Sequence, residues 1–182
     1  MKVIGGSLKG RNLLFLKNKN VRPTRDMVRE AIFDVLRGRV ENEKVLDLFA
    51  GTGAVGIEAL SQGAGEAVFV EPDLEAYRVI KSNLESLGIS GRCRVIRGNA
   101  EKVIFSLRDG AFGLVIADPP YGYASKKAES LLSSLVALNI VRSGGMAVFE
   151  HKEKNGLQVP PGMHLHREKK YGKTVVSYFF RD

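Results

Sequence analysis

Asp118, Pro119, Pro120 and Tyr121 stand in a row at the end of an apolar run, 112–118. A carboxylate followed by a carbonyl in a stiff Pro-Pro corner sets two hydrogen-bond acceptors at fixed positions. Such a pair can hold both N–H groups of an exocyclic amine on a nucleobase. It would aim the nitrogen lone pair, which is otherwise delocalised into the ring, at an electrophile. As a bond to that nitrogen forms, positive charge develops there, and the same two oxygens stabilise it. Tyr121 adds a ring face on which a splayed-out base can stack. Asp118, Pro119 and Tyr121 are therefore the candidate catalytic residues, and the chemistry they suit is transfer of a small group to an amine.

A second constellation precedes it. Asp47-Leu48-Phe49-Ala50-Gly51-Thr52-Gly53-Ala54-Val55-Gly56 contains G-x-G-x-x-G between an apolar strand-like run and a helix-like run, the context in which this motif approaches a nucleotide-like ligand. Glu71 lies twenty positions after Gly51 and closes the next run, where a carboxylate can accept both hydroxyls of a ribose. Asp47, just before the turn, suits a cationic ligand better than a pyrophosphate. This favours S-adenosylmethionine over NAD. Asn99 and Ala100, after the third run, can read an adenine edge.

These residues need a scaffold that brings them to one rim. From Lys44 onward the chain alternates strand-like runs at 45–50, 66–71, 92–97, 112–118 and 145–151 with helix-like runs at 54–62, 73–87, 100–107 and 125–140. That is the texture of a parallel sheet covered on both faces. Residues 164–180, with the turn Tyr171-Gly172-Lys173, read as an antiparallel hairpin. The predicted class is α/β: a Rossmann-like class I methyltransferase fold, mostly parallel, with an antiparallel C-terminal hairpin. Ligands of open α/β sheets bind at the carboxyl ends of the strands, where Asp47, Glu71 and Asp118 all fall.

Before this core, residues 1–39 read as an appendage of a small hairpin and a helix over 24–36, with the catalytic domain at 40–182. This first segment holds ten Lys or Arg against Asp26, Glu30 and Asp34, so +7 of the net charge of +8 is concentrated there. That is the footprint of a polyanion-binding surface. Lys9, Arg11, Arg22, Thr24, Arg25 and Arg29 are the candidate RNA-facing residues.

The bulk composition narrows the alternatives. With 44% hydrophobic and 26% charged residues the chain suits a folded globular domain, which argues against disorder. No apolar run approaches the ~20 residues of a membrane span. The single cysteine, Cys93, reads as a buried strand thiol, pointing to the cytoplasm. His164 and His166 alternate on one strand with no further ligand at metal spacing, so no metal is expected. His151 reads as a surface or packing residue, and Arg167, Lys169, Lys170 and Lys173 as a solvated hairpin tip. Tyr123 can help to order the loop after Tyr121 but is not among the candidate site residues. A NAD-dependent oxidoreductase would leave the Asp118 corner unexplained. A DNA adenine-N6 methyltransferase would use the same corner but would need a sequence-reading domain for which about 40 residues leave little room. A non-catalytic RNA-binding module would not need Asp118 together with an intact glycine turn.

Taken together, the motifs resemble one family, the RsmD-type 16S ribosomal RNA guanine-N2 methyltransferases. The resemblance runs through VIGGSLKGRNL at 3–13, RPTRDMVREAIFDVL at 22–36, VLDLFAGTGAVGIEALSQGA at 45–64, VFVEPD at 68–73, GNA at 98–100, DPPY at 118–121 and YGKTVVSYF at 171–179. It implies methylation of a guanine N2 amine in small-subunit ribosomal RNA, within the subunit or its assembly intermediate, in the bacterial cytoplasm; a monomer is the simplest expectation for the chain. It also implies that Asp47, Phe49, Gly51, Gly53, Glu71 and Asn99 line an S-adenosylmethionine site, and that Arg22, Thr24 and Arg25 lie near its mouth and the RNA. Similar enzymes often carry aspartate where this chain has Asn99, whose amide oxygen can still accept from the adenine amine.

Overall fold

The computed structural model of the chain describes residues 1–16, 23–107, 111–120, 122–152 and 156–182, with only the helical backbone described for 23–25. Seven strands form one sheet: β1 (Lys44–Asp47), β2 (Glu66–Val70), β3 (Cys93–Ile96), β4 (Phe112–Ala117), β5 (Val141–Lys152), β6 (Met163–Tyr171) and β7 (Thr174–Arg181), in the order β3-β2-β1-β4-β5-β7-β6. The first five are parallel, and β7 pairs antiparallel with both β5 and β6. The helices are α1 (Pro23–Val35), α2 (Ala54–Ser61), α3 (Leu74–Ser86), α4 (Ala100–Val103) and α5 (Ser125–Ala137).

The predicted Rossmann-like sheet with a reversed hairpin is therefore what forms, for visible reasons. β4 is buried along its whole length, as a central parallel strand covered on both faces must be. Asp73 caps α3 by accepting the Ala76 N–H at 2.8 Å. β6 lies at the sheet edge, and its charged, mostly exposed side chains discourage pairing with another chain. The basic hairpin tip thus has a structural explanation.

The N-terminal segment departs from expectation in two ways. Instead of two strands there is a single bridge, Lys2 with Asn12, around a 3-10 turn at Gly6–Leu8. The reason is competition for the backbone. The Ile4 and Gly5 amides donate to the Glu58 carboxylate at 2.8 and 2.7 Å, and the Leu8 amide donates to the Ser61 hydroxyl. Gly6 has φ +73 and lies so close to the Ser61 carbonyl that a Cβ would come within 1.8 Å of it.

Nor is there a packing boundary at residue 39. Val3, Leu13, Val28, Ile32, Phe33 and Leu36 are buried in the same cluster as Val45, Ile57, Phe69, Ile116 and Val148. The expected appendage is one layer of the core, and it covers the face of the sheet that carries α2 and α3.

Candidate active site

The carboxyl ends of the parallel strands meet at one rim. Asp47 ends β1 and is in register with Phe69 of β2 and Ile116 of β4, so Asp118 and Glu71 extend from the neighbouring strands. A cavity of about 530 Å³ opens there, a size typical of small-molecule sites. Phe49, Gly51, Glu71, Asn99, Ala100 and Asp118 line it, as does Pro120. The acidic corner and the glycine turn, more than sixty residues apart in sequence, share one chamber.

The turn needs its glycines. Gly51 and Gly53 have φ of +56 and +81, and Gly53 heads α2. At Gly56 a Cβ would meet the Phe69 ring at 2.3 Å, so this glycine lets α2 lie against β2. Glu71 braces the turn: one carboxylate oxygen accepts the Gly51 amide at 2.8 Å, the other the Asp73 amide at 2.9 Å. Each oxygen keeps a further lone pair for a ligand hydroxyl. Asn99 begins α4 without a side-chain capping bond, and its exposed side chain faces the cavity. It is not spent on the helix.

Asp47 stands behind the lining rather than in it. Its carboxylate accepts the Gly56 amide at 3.0 Å and is 2% exposed. Burial first, then the nearby charges of Asp118 and Glu71, raise its pKa to about 7, against the pull of the Gly56 and Phe49 amides. A buried carboxylate near two others is electrostatically unsatisfied, and a cationic guest in the chamber would relieve it. The donor set therefore fits S-adenosylmethionine, with Glu71 placed for a ribose and the Asp47 region for positive charge. Gly53 and Pro119 also lie outside the lining, and Gly53 shapes the turn.

Two residues not assigned from sequence belong to the same wall. The Tyr123 hydroxyl donates to Glu101 Oε1 at 2.7 Å, and its ring packs edge-on against Phe49, with centroids 5.3 Å apart and planes at 70°. Burial and the Glu101 carboxylate push the phenol's pKa up. This ties the loop after Asp118 to α4. A tyrosine two positions past the corner is a faint signal, and its partner 22 residues earlier is invisible without the fold.

Arg29 requires a correction. Expected to face RNA, it is 4% exposed. Its guanidinium pairs with Asp26 at 3.2 Å and Glu58 at 3.7 Å and donates to the Lys2 carbonyl at 2.7 Å. Burial lowers its pKa, while Asp26 and Glu58 oppose that shift. It works as a tie between α1, α2 and the first residues of the chain, and only its edge reaches the cavity wall. Lys9 and Arg11 are exposed, and the Arg11 guanidinium donates to the Ser86 carbonyl at the end of α3. Arg22 and Tyr121 lie outside the described residues, and Thr24 and Arg25 are placed in α1 by backbone alone.

Other residues hold structural places. His151 Nε2 lies 2.8 Å from the Ser177 hydroxyl, which donates to Glu168. His164 meets Asp182 at 2.7 Å. Cys93 is half-buried rather than buried, and desolvation raises its thiol pKa to about 11, which makes it a poor nucleophile at neutral pH. Among the described residues no cluster could hold a metal, and no helix is long and apolar enough to cross a membrane.

Sheet order, glycine turn and acidic corner define the class: this is an S-adenosylmethionine-dependent methyltransferase with a Rossmann-like fold. Comparison with known proteins agrees. The chain belongs to the family described as Conserved hypothetical protein 95, whose model matches residues 1–180. YlbH of Bacillus subtilis is 35% identical over 182 residues, covering 98% of each chain. The Escherichia coli K12 protein named Ribosomal RNA small subunit methyltransferase D is 32% identical over 189 residues, covering 100% of this chain and 90% of its own. The solved structure of yhhF from Escherichia coli superposes with a TM-score of 0.86 at 30% identity, covering 100% of this chain and 98% of its own.

Proposed function

We propose that the protein methylates the exocyclic N2 amine of one guanine in small-subunit ribosomal RNA, acting as a cytoplasmic monomer on the subunit or an assembly intermediate. The observation that carries the reading is the shared chamber: Asp118 and the glycine turn at Gly51 line one cavity at the rim of the sheet. The names of full-length relatives supply the ribosomal RNA, and the motif resemblance supplies the guanine.

S-adenosylmethionine, when bound, supplies an electrophilic methyl group. Gly51, Glu71, Asn99 and Ala100 would hold it, with Phe49 against it and the negative charge around Asp47 favouring its cationic end. Asp118 and the Pro119 carbonyl accept the two N–H groups of the target amine and hold its lone pair in line. Tyr121, next in sequence after the proline corner, offers a stacking face for the flipped base. The methylated nitrogen then loses a proton, and no strong base is needed.

The test is incorporation of radiolabelled methyl into small subunits from cells lacking this protein, followed by mass mapping of the modified nucleotide. Asp118→Ala should abolish incorporation while leaving S-adenosylmethionine affinity within about twofold of wild type. Labelling of duplex DNA but not of subunits would overturn the substrate, and a methyl found on another atom would overturn the guanine N2 assignment.

A further inference from the structure

Part of the cavity wall comes from outside the strand ends. Phe15 lies on it, 47% exposed, between Leu14, which is 56% exposed, and the buried Leu16. Met27, on α1 beside the wall residue Val28, is 57% exposed. Large apolar side chains left in water at the mouth of an active site mark a recognition surface.

The backbone that carries Phe15 is held from below. Asn83 of α3, 0% exposed, accepts the Leu14 amide at 2.8 Å, donates to the Leu14 carbonyl at 3.2 Å and donates to the Thr52 carbonyl of the glycine turn at 3.0 Å. A fully buried amide that binds the same residue twice and the cofactor turn once fixes the two segments relative to each other. Phe15 is therefore presented in a set position beside the methyl-transfer chamber. A lid over the cofactor would need freedom at this anchor, which the three hydrogen bonds of Asn83 remove.

We propose that Phe15 is a stacking platform for an unpaired RNA base, that of a nucleotide next to the one being methylated. The proposal rests on the ribosomal RNA reading above. A target base drawn out of its helix leaves its neighbours unstacked, and an aromatic face at the chamber mouth recovers that stacking whatever the base identity. The charge of the surrounding chain suits the occupant, since residues 1–39 hold ten of the 28 Lys and Arg side chains against three acidic ones, and even without the buried Arg29 the excess favours a phosphate backbone.

Phe15 is exposed, so its variants should fold, and two measurements decide the matter. In methyl transfer to unmodified small subunits, Phe15→Ala and Phe15→Leu should each raise KM for the subunit by about tenfold, as loss of one base stack implies. Phe15→Trp should stay near wild type, and S-adenosylmethionine affinity should be unchanged in all three. A single-stranded RNA carrying 2-aminopurine reads stacking without catalysis: its fluorescence should be quenched by wild type and Phe15→Trp and much less by Phe15→Ala. Equal quenching by all variants, or a leucine variant as good as wild type, overturns the platform. A loss confined to S-adenosylmethionine affinity makes Phe15 a cofactor lid and also overturns it. Wild-type protein that quenches the probe but methylates no subunit leaves the platform standing and removes the ribosomal substrate.

Discussion

The cavity has two kinds of wall, made differently. Along the strand ends stand carboxylates and a glycine turn: Glu71, Asp118 and, just behind, Asp47. Their positions follow from backbone pairing in the sheet, and the negative charge around Asp47 and Glu71 favours a cationic guest. The other wall comes from the first 35 residues and is apolar, with Phe15, Leu16, Val28 and Ile32. It is held by side chains rather than by strand pairing, through Glu58 and Arg29 on one side and Asn83 on the other. One wall performs chemistry on charge. The other shapes the mouth and covers the core, and its recognition role depends on buried polar ties.

Breaking a tie should produce the largest effect. Glu58→Ala leaves Arg29 without its buried partner and frees two backbone amides, so stability should fall by about 3–5 kcal/mol in urea unfolding. Arg29→Ala should lose a comparable amount. If Arg29→Ala instead folds as well as wild type and only weakens RNA binding, the buried-tie assignment is wrong and the two walls are less different than described.

The charged wall can be probed through pH. The Asp47 carboxyl has a folded pKa of about 7, above its ordinary 3.8. Its contribution to stability is fully present below the ordinary value and is lost as pH rises through about 7. Ionising it in place should cost about 1.4 kcal/mol between pH 6 and pH 8. Asp47→Asn should remove that slope in thermal unfolding. It should also flatten the several-fold gain in S-adenosylmethionine affinity that ionisation of Asp47 produces between pH 5.5 and 7.5. An unchanged slope would mean that Asp47 does not titrate in this range.

A smaller effect sharpens the link between the corner and α4. Tyr123→Phe removes one hydrogen bond and should lower stability by about 1 kcal/mol and kcat several-fold. Glu101→Gln keeps an acceptor and should stay near wild type. Glu101→Ala should match Tyr123→Phe, and the double variant should be no worse than either; additive losses would show that the two residues act separately. Smallest of all, reversing charge at Lys9 and Arg11 should reduce the salt dependence of RNA binding, by about one unit of slope for each phosphate no longer neutralised. An unchanged slope would take these two residues off the RNA surface.

The strand-end wall was largely legible in the sequence because its determinants are local. A glycine turn after an apolar run, a carboxylate at the end of the next run and a proline corner each occupy a few consecutive residues. The alternating texture places them at one edge. Asn99 shows the limit of this reading, since only the fold shows that its side chain lines the cavity and makes no capping bond to α4. The pairings of Tyr123 with Glu101, and of Asn83 with Leu14 and Thr52, could not be read, because the partners lie 22 to 69 residues apart.

Charge was the weaker guide for the same reason. The first 39 residues are strongly basic, and that much composition shows. Which cations face water depends on the partners that folding provides, and a charge near the middle of an amphipathic helix carries no mark of its fate. Arg29 was drawn inward because Glu58, on another helix, needed a counter-ion beside two backbone amides. The sequence by itself determined the sheet, the glycine turn and the acidic corner, since strand period, turn chemistry and motif spacing are written in neighbouring residues. Only the tertiary structure decided that the N-terminal segment is a core layer, that Arg29 is a buried tie and that Phe15 stands at the chamber mouth. Each of those outcomes depends on packing between residues far apart in the chain.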